Sequence, residues 1–562
     1  MFRYALSAVF AAIVTLHAQT PPLDVAIINI GTAGGRLMSG TSGGADAGGP
    51  AIGVRGGRIV SIGALSTAEI SAASTVIDVR GLTVSPGFID VHSHGLETIT
   101  RAAIRPTAAE LAQGVTTIVG NPDGGGPVDL AKQRAQIEAD GGVGVNVALL
   151  IGHGSVRSAV MGGATRASTP DELAKMIALV KQGVADGAFG LSSGIFYTPG
   201  RYAKTDELVA LARAAGGVYT SHIRDEGNYD VGVVASVNEV IAVAEQAHVA
   251  GIVSHMKALG PDSWGMSKTL IANIDAARKR GVNVWADQYP YEASSTSLAA
   301  AVLPGVTVAD ARARLADPAK APALLAEAKE NIRRRGGPHS IAVASSSSTY
   351  GRSASAFGAG SSTSGQSASG FGAASSTDGR SASGFGAGWL NGKRLDDIAA
   401  ATGVTPERAA IDIIVTGGAS IVSFNMSEDD IRAIMTQTWT MTSSDGALSL
   451  PGEGVPHPRN NGAFARKLGV YVRERQVLPL AQAIRSMTSL PAEVFGFTDR
   501  GVLRVGAIAD IAIFDPAAVI DRATYENPHQ LATGMRAVLV NGQVAWKDGQ
   551  VTGVRAGQVL RK

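Results

Sequence analysis

The sequence predicts an α/β protein in which a (β/α)8 (TIM) barrel carries a small β-sandwich domain formed by both terminal segments. Apolar strand-like runs alternate with helix-length segments through the middle of the chain, as in a parallel α/β architecture. Eight such runs can be counted, which is the number of strands in that barrel. Short strand patterns joined by glycines occur at both ends of the chain and are typical of small antiparallel sheets.

The two ends are predicted to assemble into one β domain. Residues 24–81 contain the strand-like runs VAIINI, GVRGGRIVSIG and TVIDVRG, and residues 498–562 contain GAIADIAIFD and AVLVNGQVAW. The β-branched content of these runs favours strands, and the glycines between them favour turns. Residues 82–497 lie between the two ends and are assigned to the barrel.

The eight candidate barrel strands follow one another along the chain, and most are separated by a segment long enough for a helix. They are residues 82–94, 114–121, 145–153, 187–196, 216–222, 250–255, 282–291 and 437–445. A long gap precedes the last of them, and residues 419–426 in this gap are an alternative candidate for the eighth barrel strand. The gap therefore predicts an insertion between the seventh and the eighth strand.

A low-complexity insertion, residues 345–392, lies in this gap. Residues 351–392 consist of three tandem copies of a 14-residue unit rich in Ser, Gly and Ala. Such a composition buries too little apolar surface to offset the entropy cost of ordering the chain. We therefore expect a surface extension without a catalytic role.

Composition narrows the classes of function. The 562 residues are 45% hydrophobic and 17% charged, with 49 Lys and Arg against 47 Asp and Glu. This balance provides no polycationic surface, so nucleic acid is not expected as a partner. Because the chain contains no cysteine, any metal ion must be held by histidines and carboxylates.

The first 18 residues have the pattern of a secretory signal peptide. Arg3 supplies a positive charge, residues 4–16 form a short apolar run, and Ala18 is a suitable residue before a cleavage site. A membrane-spanning helix needs about 20 apolar residues, and this run is shorter. We therefore expect cleavage rather than a stable membrane anchor, and export to the periplasm or the medium.

Histidines and one carboxylate stand at the ends of several candidate strands. His92 and His94 end the first strand, and side chains separated by one residue face the same side of a strand, so both can reach one ion. His222, His255 and Asp445 end the fifth, sixth and eighth candidate strands. Because the carboxyl ends of barrel strands converge on one mouth, these donors are predicted to form a zinc site there.

From Pro86 to its C-terminal end, the chain resembles the amidohydrolase superfamily and, within it, the D-aminoacylase or N-acyl-D-amino-acid deacylase family. The similarity is carried by the segments PGFIDVHSH, SHIRDEG, SHMKALG, DQYPYEASSTSL, TSSDG, HPR and MTSLPAEVFGFTDRGVLRVGAIADIAIFD. This resemblance implies an enzyme that uses zinc to hydrolyse the linear amide bond of a small molecule, an N-acyl-D-amino acid.

The resemblance also implies roles for individual residues. His222 and His255 are expected to bind one tight Zn²⁺ ion, and His92 and His94 a second, weaker metal ion. Asp445 matches the catalytic carboxylate of the family. It is expected to take a proton from a water molecule activated by zinc and to deliver that proton to the departing amine nitrogen.

One position departs from the family pattern and leaves the number of metal ions open. The family usually has a bridging cysteine, flanked by Asn and Gly, after the second strand, whereas this chain has Asn121, Pro122, Asp123 and Gly124. Proline offers no metal ligand. Either Asp123, one residue further along, supplies a bridging carboxylate, or the site holds a single ion with two histidines as its core.

The free carboxylate of such a substrate requires a cation or hydroxyl groups near the mouth. Lys257, two residues beyond His255, is the first candidate, and Arg459 in the HPR segment is the second. Tyr289 and Tyr291 are candidate hydrogen-bond donors. For each of them the alternative is a structural role, as a surface salt bridge or a packed tyrosine.

Two other functions stay open. The first is a hydrolase of the same barrel that acts on dipeptides or cyclic amides, but cyclic amidases tend to carry a carbamylated bridging lysine, and no lysine lies near the ends of candidate strands one to four. The second is a binding protein that has lost its catalytic activity. The retained histidines and Asp445 argue against it, because clustered polar groups are costly to bury.

Arg224 and Glu226, in the loop after His222, are expected to pair with each other.

Overall fold

The computed structural model describes residues 21–31, 36–38, 51–346 and 388–562. The predicted signal peptide, residues 1–18, lies outside the described residues. The same holds for most of the 14-residue repeats, since the description stops at residue 346 and resumes at residue 388.

Eight parallel strands form the predicted barrel. They are Phe88–Asp90, Val115–Gly120, Asn146–Leu149 with its continuation Ile151–Gly152, Gly190–Gly194, Val218–His222, Ala250–Val253, Val284–Gln288 and Thr440–Thr442. Each pairs in parallel with the next along the chain. A parallel bridge from Ser93 to Gly446 joins the first strand to the eighth, so the sheet closes.

Helices surround the barrel, and the residues of its strands are buried. They are Ala108–Leu111, Leu130–Glu138, His153–Met161, Pro170–Ala185, Thr205–Ala215, Val233–Ala247, Ser267–Lys279, Glu428–Met435, Arg459–Arg466, Lys467–Glu474, Leu480–Met487 and Ser489–Phe495. The helix Pro170–Ala185 begins with a capping box, in which the side chains of Thr169 and Glu172 each accept a hydrogen bond from the backbone N–H group of the other residue. Within the described part of the chain, no helix combines the length and apolar character needed to cross a membrane.

The terminal segments form the predicted β sandwich. One sheet consists, in spatial order, of Arg58–Gly63, Ala51–Arg55, Val25–Ile28 and Thr75–Asp78. The other consists of Arg36–Leu37, Thr83–Pro86, Ile511–Phe514, Met535–Val540, Gln543–Lys547 and Gln550–Val551. Apolar side chains of both sheets pack into a common core, and the helix Thr67–Ala72 connects two strands of the first sheet.

The predicted first barrel strand, residues 82–94, is two strands in different domains. Thr83–Pro86 pairs with Ile511–Phe514 in the sandwich, and Phe88–Asp90 pairs with the second barrel strand. The chain crosses between the domains at Gly87, where a Cβ atom would lie 2.2 Å from Thr116 Oγ1, so glycine is required. An unbroken apolar run gives no periodicity signal for such a crossing.

The insertion between the seventh and eighth barrel strands is larger than residues 345–392. Its three-stranded antiparallel sheet has the order Ala293–Ser297, Ser420–Phe424, Ile341–Ser345. Its helices are Leu298–Val302, Val308–Ala316, Ala321–Arg334, Leu395–Thr402 and Pro406–Thr416. They bury a hydrophobic core of their own. The run at residues 419–426 therefore belongs to this sheet, and residues 437–445 contain the eighth barrel strand.

Candidate metal centre and active site

Six potential metal ligands meet at the carboxyl ends of the barrel strands. They are His92, His94, Asp123, His222, His255 and Asp445, which follow or end the first, second, fifth, sixth and eighth strands. All are buried except His94, which is partly exposed. The barrel brings together side chains that are up to 353 positions apart in the sequence, as the convergence of the strand ends predicts.

The carboxylate of Asp123 lies between the histidines. Its Oδ1 atom is 3.4 Å from His92 Nε2 and 3.6 Å from His255 Nε2. Its Oδ2 atom is 3.4 Å from His94 Nε2 and 3.9 Å from His222 Nδ1. Asp123 thus contacts both histidine pairs, although it is displaced by one residue from the position of the family's bridging cysteine.

Asp445 faces the histidines with one carboxylate oxygen and Arg459 with the other. Asp445 Oδ1 is 3.3 Å from His94 Nε2 and 3.6 Å from His92 Nε2. Asp445 Oδ2 accepts a 2.6 Å hydrogen bond from Arg459 Nη1. Burial would raise the pKa of Asp445, but Arg459 and the histidines outweigh burial and hold the pKa well below its ordinary value. Asp445 is therefore ionised.

The donors at the centre fit a zinc ion. Ligand atoms about 2.0–2.2 Å from a tetrahedral Zn²⁺ ion lie about 3.3–3.6 Å from one another. Most separations from Asp123 and Asp445 to the surrounding histidines fall in this range. In addition, His92 Nε2 and Asp123 Oδ1 are buried and have no hydrogen-bond partner among the residues that the structure describes. Since buried polar atoms rarely stay unpaired, a cation between them would satisfy both.

The two histidines of the predicted tight site contact each other directly. His222 Nδ1 and His255 Nε2 are 3.0 Å apart. Burial lowers the pKa of His222 to about 4, which keeps it in the neutral form that a metal ligand needs. Burial and Lys257 disfavour a charge on His255, but Asp445 and other carboxylates outweigh them and raise its pKa to about 10. The centre therefore attracts positive charge.

Two buried aspartates hold the backbone of the ligand loops. Asp90 Oδ1 accepts hydrogen bonds from the backbone N–H groups of His92 and Ser444, at 3.2 and 3.0 Å. Asp287 Oδ1 accepts one from the backbone N–H of His255, at 2.9 Å. These bonds join the end of the first strand to that of the eighth, and the end of the sixth strand to that of the seventh. The two aspartates are thus structural supports of the centre that motif spacing alone did not single out.

Three of the six potential ligands have a left-handed backbone. The φ angles are 54° for Asp123, 35° for His255 and 48° for Asp445. A residue with a Cβ atom adopts this region at a cost of roughly 1–3 kcal/mol, and such positions cluster at functional sites. The strained turns aim these side chains into the mouth instead of along the strands.

The structure brings three of the four predicted substrate-binding residues to the centre. Lys257 Nζ is 2.8 Å from His255 Nδ1, and the Arg459 guanidinium lies 4.6 Å from the centroid of the Tyr289 ring. Lys257 also lies over this ring, 5.6 Å from its centroid. Within the described part of the chain, the Nε atom of Arg459 is buried without a hydrogen-bond partner, so this N–H group is available to a ligand.

Tyr291 is placed differently from the prediction. Its hydroxyl group lies 3.4 Å from Asp521 Oδ2 and 3.5 Å from the carbonyl oxygen of Pro458. The seventh strand ends at Gln288, so the alternation that would keep residues 289 and 291 on one side ends before them. In this structure Tyr291 supports the HPR segment, as in the alternative of a packed tyrosine, and its contact with the substrate stays a prediction.

The expected pairing of Arg224 with Glu226 is wrong. Arg224 Nη2 pairs with Glu239 at 2.8 Å. Glu226 instead accepts a hydrogen bond from Lys257 Nζ, and its Oε1 atom lies 3.0 Å from His255 Nδ1. Sequence reasoning missed this contact, because Glu226 belongs to the loop after the fifth strand and Lys257 to the loop after the sixth.

Sequence reasoning also missed two aromatic side chains beside the centre, Phe196 and Tyr197. The Tyr197 ring lies 4.6 Å from the His222 ring, and the Phe196 ring lies 5.8 Å from it. Both aromatic residues directly follow the fourth barrel strand. Their place after a strand end was the available signal, but packed aromatic residues are common enough that this signal is weak.

The chain is similar to known proteins over nearly its whole length. A model of the amidohydrolase family matches residues 75–340 and 382–546. The D-aminoacylase of Alcaligenes xylosoxydans xylosoxydans is 33% identical over 538 residues, which are 91% of this chain and 93% of that protein. These matches confirm the resemblance carried by the sequence motifs.

Solved structures agree with this similarity. The N-acyl-D-glutamate deacylase of Bordetella bronchiseptica, in complex with zinc and a phosphonate that mimics the tetrahedral intermediate, has a TM-score of 0.75 and 32% identity, over 96% of this chain and 100% of that one. A D-aminoacylase studied for the role of its binuclear metal centre has a TM-score of 0.74 and 30% identity over the same shares. The chain therefore belongs to the amidohydrolase family, as a metal-dependent hydrolase of the D-aminoacylase group.

Proposed function

We propose that this enzyme hydrolyses the amide bond of N-acyl-D-amino acids and releases a carboxylate and a D-amino acid, with Zn²⁺ as its cofactor. The observation that carries the proposal is the position of Asp445, an ionised carboxylate whose Oδ1 faces His92 and His94 while Arg459 holds Oδ2. The choice of substrate is supported by the relatives, which are a D-aminoacylase and an N-acyl-D-glutamate deacylase.

His222 and His255 would hold the tight zinc ion, and His92 and His94 would contribute to a second, weaker position. Asp123 would be the carboxylate shared between them, since each of its two oxygens lies near one histidine of each pair. When bound, zinc supplies a Lewis acid and lowers the pKa of a coordinated water to about 7.

Asp445 would move the proton of the reaction. Its carboxylate is ionised and its Oδ1 atom faces the centre, so this oxygen would accept the proton of the attacking water. It would then deliver this proton to the amine nitrogen as the C–N bond breaks, which makes the amine a competent leaving group. Arg459 keeps the carboxylate oriented through Oδ2, so the same oxygen serves both transfers.

Arg459, Lys257 and Tyr289 would bind the free carboxylate of the substrate. Arg459 is favoured as the principal contact, because no described residue pairs with its Nε–H group and a guanidinium matches the planar shape of a carboxylate. The Tyr289 ring supports both cations from one side. Holding the substrate carboxylate in this way would fix the distance between the scissile amide bond and the carboxylate of Asp445.

A substrate panel tests the proposal. Purified protein with added zinc is assayed on paired N-acetyl-D- and N-acetyl-L-amino acids, on dipeptides, and on hydantoin and dihydrouracil. We expect hydrolysis of the D-compounds at rates at least tenfold above all others. Hydrolysis of only the cyclic amides or dipeptides would favour the other hydrolase reaction, and no turnover of any compound by zinc-loaded protein would favour a binding protein.

We also propose that the protein is exported. The support is the pattern of residues 1–18, and the absence of cysteine agrees with a protein that needs no reduced thiol outside the cytoplasm. Mass spectrometry of the protein from fractionated cells tests this: a mature chain starting at Gln19 in the exported fraction is expected, and a full-length chain in the cytoplasm would contradict it.

A further inference from the structure

Glu226, Lys257 and His255 form a buried cluster at the edge of the metal centre, and Glu226 is the member that has no role in the proposed reaction. The exposed fractions of their side chains are 12%, 5% and 2%. Glu226 Oε1 contacts both of the other side chains. It accepts a hydrogen bond from Lys257 Nζ, and it lies 3.0 Å from His255 Nδ1. His255 Nδ1 and Lys257 Nζ are also only 2.8 Å apart.

The cluster has the composition of a cation site, since His222, Glu226 and His255 offer ligand atoms within 4.8 Å of one another. The ammonium group of Lys257 already stands at this place. It is bonded to Glu226 and in contact with His255 Nδ1, so a metal ion there would meet a positive charge at close range. Lys257 is thus the cation of this pocket, and Glu226 is its counter-charge.

The geometry determines which nitrogen of the His255 ring carries the proton when the other nitrogen binds zinc. An imidazole that binds a metal ion through Nε2 must carry its proton on Nδ1. The two described groups next to Nδ1 are Glu226 Oε1 at 3.0 Å and Lys257 Nζ at 2.8 Å. An ammonium group has only donors, so in the zinc-bound form the Nδ1–H group would donate to Glu226, and Lys257 would direct its N–H groups to the same carboxylate instead of to Nδ1. His255 Nε2 then faces Asp123 Oδ1 and His222 Nδ1 with its lone pair.

The loop that carries Glu226 is held firmly. The fully buried carboxylate of Asp225 accepts hydrogen bonds from the backbone N–H groups of Gly227, Asp230 and Gly232. The carbonyl oxygen of Glu226 accepts a 2.8 Å hydrogen bond from Leu259 N, in the loop that follows His255. The carboxylate is therefore fixed relative to the histidine.

We infer that Glu226 is a positioning residue, which fixes the tautomer and orientation of His255 as a zinc ligand and neutralises Lys257 beside it. This inference rests on the proposed metal site. Carboxylates behind metal-binding histidines typically change metal affinity by 10- to 100-fold when they are removed. The same contact keeps Lys257 beside His255, which leaves Arg459 as the principal anchor of the substrate carboxylate.

Zinc affinity tests the inference without any assay of turnover. The Kd of the full chain for zinc is measured by competition with a chromophoric chelator, for the wild type, Glu226→Ala and Glu226→Gln. We expect Glu226→Ala to raise the Kd by 10- to 100-fold. Glu226→Gln retains a carbonyl acceptor for Nδ1–H and should recover at least half of the loss on a logarithmic scale. The visible spectrum of the cobalt(II)-loaded protein should shift in Glu226→Ala and return towards the wild-type spectrum in Glu226→Gln.

Glu97→Gln is the matched control. Its carboxylate also faces a histidine of the centre, His94 Nδ1, but at 3.6 Å and with a side chain that is 45% exposed, so its Kd should stay within twofold of the wild type. A wild type that binds zinc while Glu226→Ala keeps the same Kd and cobalt spectrum would overturn this inference alone. A wild type that binds no zinc would overturn the proposed function and this inference together.

Discussion

Arg459 Nη1 donates a 2.6 Å hydrogen bond to Asp445 Oδ2, and both side chains are buried beside the four histidines. Burial raises the pKa of a carboxyl group, but in Asp445 the positive charge of Arg459 and the neighbouring histidines together outweigh burial and hold the pKa well below its ordinary value. The pair therefore makes Asp445 available as a proton acceptor over the whole neutral range.

Replacing Arg459 with methionine should shift the pH dependence of catalysis. Without the guanidinium, the pKa of Asp445 rises, so protonation inactivates the enzyme at a higher pH and the acid limb of the kcat profile moves upward. Arg459→Lys keeps a positive charge and should move this limb less. The check is a kcat–pH profile of the three proteins. An acid limb at the same pH in all three would show that Arg459 does not control Asp445.

Asp445→Asn should abolish turnover while zinc stays bound. The amide retains the shape of the side chain but accepts no proton, so the loss is expected to be at least 100-fold in kcat. Zinc content after dialysis and kcat on an N-acyl-D-amino acid are the two measurements. Normal turnover in this variant would remove Asp445 as the proton carrier.

His222→Ala should release the tight zinc ion. His222 is buried and neutral, in contact with both His255 and Asp123, so its loss removes a ligand that no neighbour replaces. Zinc per chain is measured after dialysis against a weak chelator. The exposed histidine His339, which pairs with Asp396 away from the centre, provides the control variant His339→Ala. Full zinc retention in His222→Ala would show that the ligands are misassigned.

Asp123→Ala should reduce the number of bound metal ions. The carboxylate contacts all four histidines, so its removal should lose the weaker ion entirely and raise the Kd of the tighter one at least tenfold. Isothermal titration with zinc gives both quantities. Asp129→Ala, at the start of the helix Leu130–Glu138, controls for loss of a nearby carboxylate. An unchanged stoichiometry of two ions would contradict the bridging role.

Lys467 gives a prediction about stability. Its ammonium group is buried behind the eighth barrel strand and donates to Thr442 Oγ1 and Ser486 Oγ, each at 2.9 Å. Burial lowers its pKa to about 7, whereas an unfolded lysine titrates near 10.4. Folding therefore favours the neutral form, and the penalty grows as the pH falls from about 10.4 to about 7 and is constant below that.

Lys467→Met should remove this dependence. Relative to the variant, the free energy of unfolding of the wild type should decrease by up to about 1.4 kcal/mol per pH unit between pH 10 and pH 7. Urea unfolding at several pH values measures it, and the exposed Lys268→Met should follow the wild type. Parallel curves for wild type and Lys467→Met would show that this lysine does not pay a burial penalty.

The barrel and most of its centre were predictable because they depend on periodic patterns. Parallel strands buried on both faces read as continuous apolar runs, and the ends of such strands converge by geometry. His92, His222, His255 and Asp445 follow directly from this rule. The strand boundary at Gly87 did not follow, because an apolar run carries no mark where it passes from one domain to the next.

The remaining contacts depend on loops, whose paths no spacing rule gives. The carboxylate of Asp123 reaches the histidines only because its backbone is left-handed, with φ at 54°. The pairing of Glu226 with Lys257 joins two loops and replaces the expected pairing with Arg224. Tyr291 turns away from the centre since the seventh strand ends before it. In each case a side chain's position was set by a turn and not by alternation.

The most direct test is a crystal of the zinc-loaded protein measured at the zinc absorption edge. We predict an anomalous peak about 2.0–2.2 Å from nitrogen atoms of His222 and His255 and from a carboxylate oxygen of Asp123, with Asp445 beside it. A folded, zinc-loaded protein whose anomalous peak lies away from these residues, or which shows none, would contradict the metal centre on which the proposed hydrolysis depends.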